Sequence, residues 1–88
     1  MLEKQLLIQN ELGVHARVAN KITRCSGQFK CSITAINDGK EHNLKNVVSA
    51  MLLNGKNGDM INVIFDGEDE ESASIALEEL FNDKFGES

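Results

Sequence analysis

Leu12-Gly13-Val14-His15-Ala16-Arg17-Val18-Ala19 is the point at which this 88-residue chain changes period. Before it, residues 2–8 (Leu-Glu-Lys-Gln-Leu-Leu-Ile) alternate in part, with Leu2, Leu6 and Ile8 on one face, and predict a strand. Asn10 to Gly13 break that strand. From Ala16 to Gly27 the spacing is helical: Val18, Ala19, Ile22 and Cys25 or Ser26 fall on one side. Arg17, Asn20, Lys21 and Arg24 fall on the other, and Gly27 stands where a helix would end in a left-handed residue.

Working outward, residues 29–36 (Phe-Lys-Cys-Ser-Ile-Thr-Ala-Ile) return to period two and predict a second strand. Asn37-Asp38-Gly39-Lys40 is a turn, because Asp-Gly accepts positive φ cheaply, and Glu41-His42-Asn43 pairs back as a short polar edge strand. Residues 46–53 read as a short helix capped by Asn46 and stopped by Asn54-Gly55. Asn57-Gly58-Asp59 turns the chain into Met60–Phe65, the most apolar strand and so an interior one. Asp69 is placed to cap a last helix, with Glu70 and Glu71 in its first turn. Ala73, Ala76, Leu77 and Leu80 form its apolar stripe, extended by Phe81 or Phe85, and Gly86 to Ser88 are expected to fray.

The order β-α-β-β-α-β-α in a chain of this length predicts an α+β fold. One four-stranded antiparallel sheet carries its three helices on one face, in one domain over residues 1–88. A net charge of -5 and only four aromatic residues, all phenylalanine, argue against nucleic-acid binding. The charge is uneven: Arg17 to Lys30 contains four basic residues and no acidic one, which suits a negative partner or ligand. No stretch is long and apolar enough for membrane insertion, and the N-terminus lacks the pattern of a signal peptide. Cys25 and Cys31 have neither CxxC nor metal spacing, and read as reduced thiols used as small core residues of a cytoplasmic protein. The acidic run Glu68 to Glu71 reads as a solvated helix start, so no metal and no cofactor is expected.

A single histidine is ordinarily a solvated surface residue, and His42, alone on its edge strand, is read that way. His15 has helpers. Gly13 permits a sharp turn into the helix. The backbone N–H groups of Ala16, Arg17 and Val18, at the helix start, have no helical acceptor and can face an anion. Arg17 adds a planar fork of donors suited to phosphate. A helix N-terminus disfavours the imidazolium and keeps the ring neutral and nucleophilic. No carboxylate is placed by sequence to act as a base, and no serine or cysteine nucleophile stands beside His15. The chemistry that fits is reversible phosphoryl capture on the ring. In the second helix, Val47, Val48 and Met51 are either core or an outward docking patch.

Gly13-Val14-His15-Ala16-Arg17 resembles the phosphorylation signature of the HPr family, the histidine phosphocarriers of the bacterial phosphoenolpyruvate:sugar phosphotransferase system. The similarity continues through Lys45 before the second helix, Gly58 before the last strand, and Gly67-Glu68-Asp69-Glu70 before the last helix. The resemblance implies an open-faced β-sandwich in which His15 takes a phosphoryl group on Nδ1 from enzyme I and passes it to sugar-specific IIA proteins. It implies that Arg17 pairs with the phosphate. It further implies that Asn20, Lys21, Arg24, Val47, Val48 and Met51 dock both partners, and a monomer is expected.

Two positions depart from the family pattern. Val18 stands where HPr proteins usually have proline, which leaves the first turn less constrained and predicts slower phosphoryl transfer. Asn46 replaces the regulatory serine that many members carry; it caps a helix as well as serine but cannot be phosphorylated. These departures support a second reading, an HPr-like regulatory or adaptor protein that binds partners through Val47, Val48 and Met51 with weak or no sugar phosphotransfer.

Overall fold

The computed structural model describes residues 1–87. Strands β1 (Leu2–Leu7), β2 (Ser32–Asn37), β3 (Lys40–Asn43) and β4 (Met60–Asp66) form one antiparallel sheet in the order β1-β4-β2-β3. Helices α1 (Ala16–Ser26), α2 (Val47–Leu52) and α3 (Glu70–Asn82) complete the order β-α-β-β-α-β-α, and a single turn, Lys84–Gly86, follows α3. The α+β fold with an open sheet face is therefore the one the period changes predict. The apolar β4 is interior and the polar β3 is an edge.

Alternation along β4 decides which face is covered. Ile61, Val63 and Phe65 are fully buried, whereas Met60 and Asp66 lie on the open face. In register with them, Ile33 and Ala35 of β2 and Leu6 of β1 point the same way, under the helices. Val18, Ala19 and Ile22 supply the α1 side of this core and Leu77 and Phe81 the α3 side. Lys4 shares the inward face of β1 with Leu2 and Leu6. It is accommodated at the sheet edge because its Nζ donates to Glu78 Oε1 of α3 at 3.0 Å.

Several expected boundaries shift, each for a visible reason. Strand β1 ends at Leu7; Ile8 stays buried and exchanges backbone hydrogen bonds with Gly58 and Asp59 beyond the regular ladder. Strand β2 begins at Ser32 rather than 29, because the N–H groups of Lys30 and Cys31 donate to the Asp69 carboxylate at 2.8 and 2.9 Å. Asp69 therefore does not cap α3 with its side chain. Glu70 reaches back instead, its Oε1 accepting from Gly67 N–H at 3.1 Å. Both carboxyl groups are held below their ordinary pKa, chiefly by the N–H of Lys30 for Asp69 and of Gly67 for Glu70. Gly27 is right-handed (φ -67°), since the end of α1 closes through three-residue turns, Gln28 N–H to Cys25 and Phe29 N–H to Ser26. Along α3 the fully buried residues are Ala73, Ser74, Leu77 and Phe81; Ala76 and Leu80 are only half-buried. Ser74 is tolerated there because its Oγ donates to Glu71 O at 2.8 Å.

The expected turns and caps are present. Asp38 (φ 54°) and Gly39 (φ 74°) give the two-residue hairpin loop, and Asn54 (φ 53°) ends α2 in the left-handed region. Asn46 caps α2, its Oδ1 accepting from Ser49 N–H at 2.9 Å. Cys31 is buried and Cys25 half-buried, both free thiols whose pKa burial raises.

Fraying after α3 is contradicted for Gly86 and Glu87; Ser88 lies outside the described residues. Phe85 is 1% exposed and packs edge-on against Phe81 with ring centroids 4.7 Å apart. That packing extends the core beyond the last turn of α3 and carries Glu87 back across the molecule to α1.

Candidate functional site

His15 is the N-cap of α1. Its Nδ1 accepts a hydrogen bond from Arg17 N–H at 3.2 Å, so one of the unpaired donors of the helix start is satisfied by the imidazole itself. Gly13 sets this up. Its φ is +70°, and a Cβ there would stand 2.4 Å from Gly55 O. Val14 N–H donates to that same carbonyl at 2.9 Å. The loop before α1 is thus stitched to the loop after α2 at a spacing only glycine permits.

An N–H that donates to Nδ1 requires a lone pair there, which leaves the ring proton on Nε2. Nε2 lies 3.0 Å from Glu87 Oε1. The same oxygen accepts from Asn10 Nδ2 at 3.3 Å, and Asn10 also donates to Gly13 O at 2.8 Å. Glu87 Oε2 faces Arg17 Nη1 at 3.7 Å without a hydrogen bond. The contact with His15 is the main reason the Glu87 carboxyl is held below the usual carboxylate range, with Asn10 and Arg17 adding to it against the cost of desolvation. The imidazole is 27% exposed and the Arg17 side chain 70% exposed, so the ring and the guanidinium share an open surface.

Delivering Glu87 costs backbone strain. Lys84 and Phe85 both have φ of 55° and Gly86 has 74°. A left-handed residue other than glycine costs about 1–2 kcal/mol. Burying the Phe85 ring returns about 1.5–3 kcal/mol. The Lys21 Nζ, which donates to Phe85 O at 2.6 Å, adds a charge-assisted bond of roughly 1.5–3 kcal/mol. These gains are comparable in size to the strain at Lys84 and Phe85.

The residues singled out from sequence are placed as follows. Ala16, Arg17 and Val18 form the first turn of α1 beside His15, with Ala16 and Arg17 exposed. Val18 is fully buried, side chain and backbone alike. Asn20 and Arg24 are exposed on the same helix; Lys21 is half-buried and committed to Phe85 O. In α2, Val48 and Met51 are exposed (60% and 44%), whereas Val47 packs against the core. Leu12, before the histidine, and Leu52 are exposed apolar residues that periodicity did not single out. Glu87 and Asn10 were also missed. A phenylalanine four residues after Phe81, followed by glycine, was the one weak signal that the chain packs and turns after α3. His42 is half-buried, its Nδ1 3.2 Å from Ser49 O, and is structural. A surface groove of about 490 Å³ between the Asp38–Lys40 turn and the Leu52–Met60 connection does not include His15.

A family profile described as "PTS HPr component phosphorylation site" matches residues 2–83. The chain belongs to the HPr family. Phosphocarrier protein HPr of Xylella fastidiosa (strain 9a5c) is 41% identical over 87 residues, covering 99% of this chain and 98% of that protein. Phosphocarrier protein HPr of Neisseria meningitidis (strain Z2491) is 38% identical with the same coverage. Among solved structures, HPr-C-His from Thermoanaerobacter tengcongensis is similar with a TM-score of 0.94 at 34% identity, covering 100% of this chain and 99% of that one. No helix of this HPr-family protein, among the described residues, is long and apolar enough to cross a membrane.

Proposed function

We propose that this protein is a phosphocarrier of the phosphotransferase system, a single domain over residues 1–88 that carries a phosphoryl group on His15. The observation that carries the assignment of the residue is the Nδ1 lone pair at the start of α1, with the ring proton on the opposite edge. Once the Arg17 N–H releases the Nδ1 lone pair, attack by Nδ1 forms the N–P bond while the bond from phosphorus to the donor breaks, its electron pair leaving with the donor. The ring keeps its Nε2 proton throughout, so no base has to remove it. The transferring group carries its charge on three oxygens, and a planar guanidinium with free first-turn N–H groups is suited to receive them. Arg17 fills that role, with Ala16 and Val18 contributing backbone N–H groups.

Enzyme I is the donor and sugar-specific IIA proteins are the acceptors, both docking on the open surface around α1 and α2. Asn20, Arg24, Val48 and Met51 are exposed there, Lys21 and Val47 support it from partly buried positions, and Leu12 and Leu52 extend its apolar part. The protein acts as a cytoplasmic monomer. The curated relatives at these identities are phosphocarriers, which favours carrier over adaptor.

Incubation with phosphoenolpyruvate and enzyme I should add the mass of one phosphoryl group in acid-labile form. His15→Ala should gain nothing. Arg17→Ala should keep its stability to within about 0.5 kcal/mol, its side chain being exposed, and transfer roughly tenfold or more slowly. An unlabelled wild type under conditions that label another HPr completely would overturn the carrier role.

A further inference from the structure

We propose that the groove between the β2–β3 turn and the connection from α2 to β4 is a binding site for a small hydroxylated organic phosphate, a ligand that pairs one anionic group with several hydroxyls. The groove holds about 490 Å³, which suits a small molecule. His15 does not line it, so the site is separate from the phosphoryl-transfer centre. Lys40 enters from the start of β3 and Lys56 from the connection. Both are exposed, and among the described residues neither ammonium makes an ion pair. Asp38 and Asp59 stand in the same two turns and line the groove as well. Two lysines against two aspartates leave no net charge, a balance that favours neither a simple anion nor a simple cation. A ligand matches it by offering an anionic group to the lysines and hydrogen-bond donors to the acceptors around them.

Those acceptors are of the kind that hydroxyls use. His42 Nδ1 lies 3.2 Å from Ser49 O, and a carbonyl only accepts, so in the neutral ring that nitrogen carries the proton and Nε2 keeps a lone pair. Asp59 Oδ2 accepts from Lys56 N–H at 2.9 Å, which fixes the carboxylate and leaves its other oxygen for a ligand. Asn54 adds an exposed amide. The walls are braced before any ligand arrives. Asn37 Nδ2 donates to Leu53 O at 3.1 Å and joins the end of β2 to the end of α2. Asp59 N–H donates to Lys56 O at 2.9 Å, and Ile8 N–H donates to Asp59 O at 2.9 Å, so the connection is closed on itself and tied to the residue after β1. A groove held in shape this way loses little further freedom on binding.

Titration of ¹⁵N-labelled protein with ribose 5-phosphate at neutral pH, followed through the backbone amide shifts, tests the site. The shifts should centre on Lys40, His42, Asn54 and Lys56. Ribose 5-phosphate should bind at least about fivefold more tightly than inorganic phosphate or ribose alone. Lys40→Gln and Lys56→Gln should each weaken it about two- to fivefold, the effect of one exposed charge pair, and the double variant by the product of the two. Both side chains are exposed, so the ligand-free spectra of the variants should overlay the wild type away from the two turns. Shifts confined to Ala16, Arg17 and Val18 would overturn the proposal, because the phosphate would then be reading the start of α1. Equal affinity for inorganic phosphate would overturn it too, since charge alone would account for the binding. Lysine variants that bind as the wild type does would remove the groove from the interaction altogether.

Discussion

The start of α1 and the turn after α3 hold the two edges of one imidazole, and they work over different ranges of sequence. On the Nδ1 edge the groups that set the ring lie within five residues: Gly13 turns the chain, His15 caps the helix and Arg17 N–H closes on the ring. On the Nε2 edge the partner comes from 72 residues away, through Phe85 packed on Phe81, Lys21 on Phe85 O and Gly86 turning left-handed. The first half is made of neighbouring residues and is braced from outside only by the loop after α2, through Gly55 O. The second exists only when the core beneath α3 is complete. A site assembled this way couples the orientation of the ring to the integrity of the fold.

The two glycines test that difference most strongly. Both are left-handed, Gly13 at +70° and Gly86 at +74°. A Cβ on Gly13 would stand 2.4 Å from Gly55 O and 3.0 Å from Lys56 Cα, backbone that cannot yield without opening the loop after α2. A Cβ on Gly86 would meet only the Lys21 Nζ at 3.4 Å. Gly13→Ala should therefore cost roughly 2–4 kcal/mol in urea unfolding, clash added to conformational strain. Gly86→Ala should cost only the strain, about 1–2 kcal/mol. Equal losses would mean that the two halves are equally rigid, and the contrast between them would fail.

A smaller effect sharpens the long-range half. The folded-state pKa of Glu87 is lowered, so its contact adds stability above the ordinary glutamate value of 4.5 and loses it as pH falls through the lowered folded value. Asp69 and Glu70 are lowered too and make the whole fold acid-sensitive. The difference between wild type and Glu87→Gln isolates the one group. Urea stability followed down through the carboxylate range should show wild type ahead near neutrality and the two curves merging in acid. Curves that stay parallel would remove the contribution of the Glu87 carboxylate.

What the sequence made legible follows the same divide. Period changes at Gly13, Gly27, Gly39 and Gly58 marked the elements, because each strand or helix buries one face against its neighbours and that face is written in consecutive residues. That Gly13, His15 and Arg17 meet at the start of α1 was legible because the three stand within five residues of one another. Asp69 was misread because the carboxylate chose two N–H groups 38 and 39 residues away over the helix it begins. Val47 and Val48 are adjacent in sequence, and six residues of helix are too few for periodicity to say which one faces out. Glu87 was close to illegible: beyond Phe85 and Gly86, nothing local distinguishes a frayed acidic tail from one carried back by a buried phenylalanine.

Val18 is the last and smallest test. It falls in the first turn of α1, where a residue has no helical acceptor for its N–H, so proline would break no helical hydrogen bond there. Its side chain is fully buried, so proline must also replace apolar contacts, with a ring smaller in reach. Restricting the unfolded chain contributes about 0.4–1 kcal/mol in favour of proline. The packing loss works against it, and the two should leave Val18→Pro within about 1 kcal/mol of wild type. Phosphoryl transfer then decides what the valine does. A faster Val18→Pro variant means that constraint of the first turn limits the reaction. A slower one means that the Val18 N–H, absent in proline, is a working donor to the phosphoryl oxygens. A loss of several kcal/mol would instead show that α1 does not start at the histidine, and the short-range half of the site would have to be redrawn.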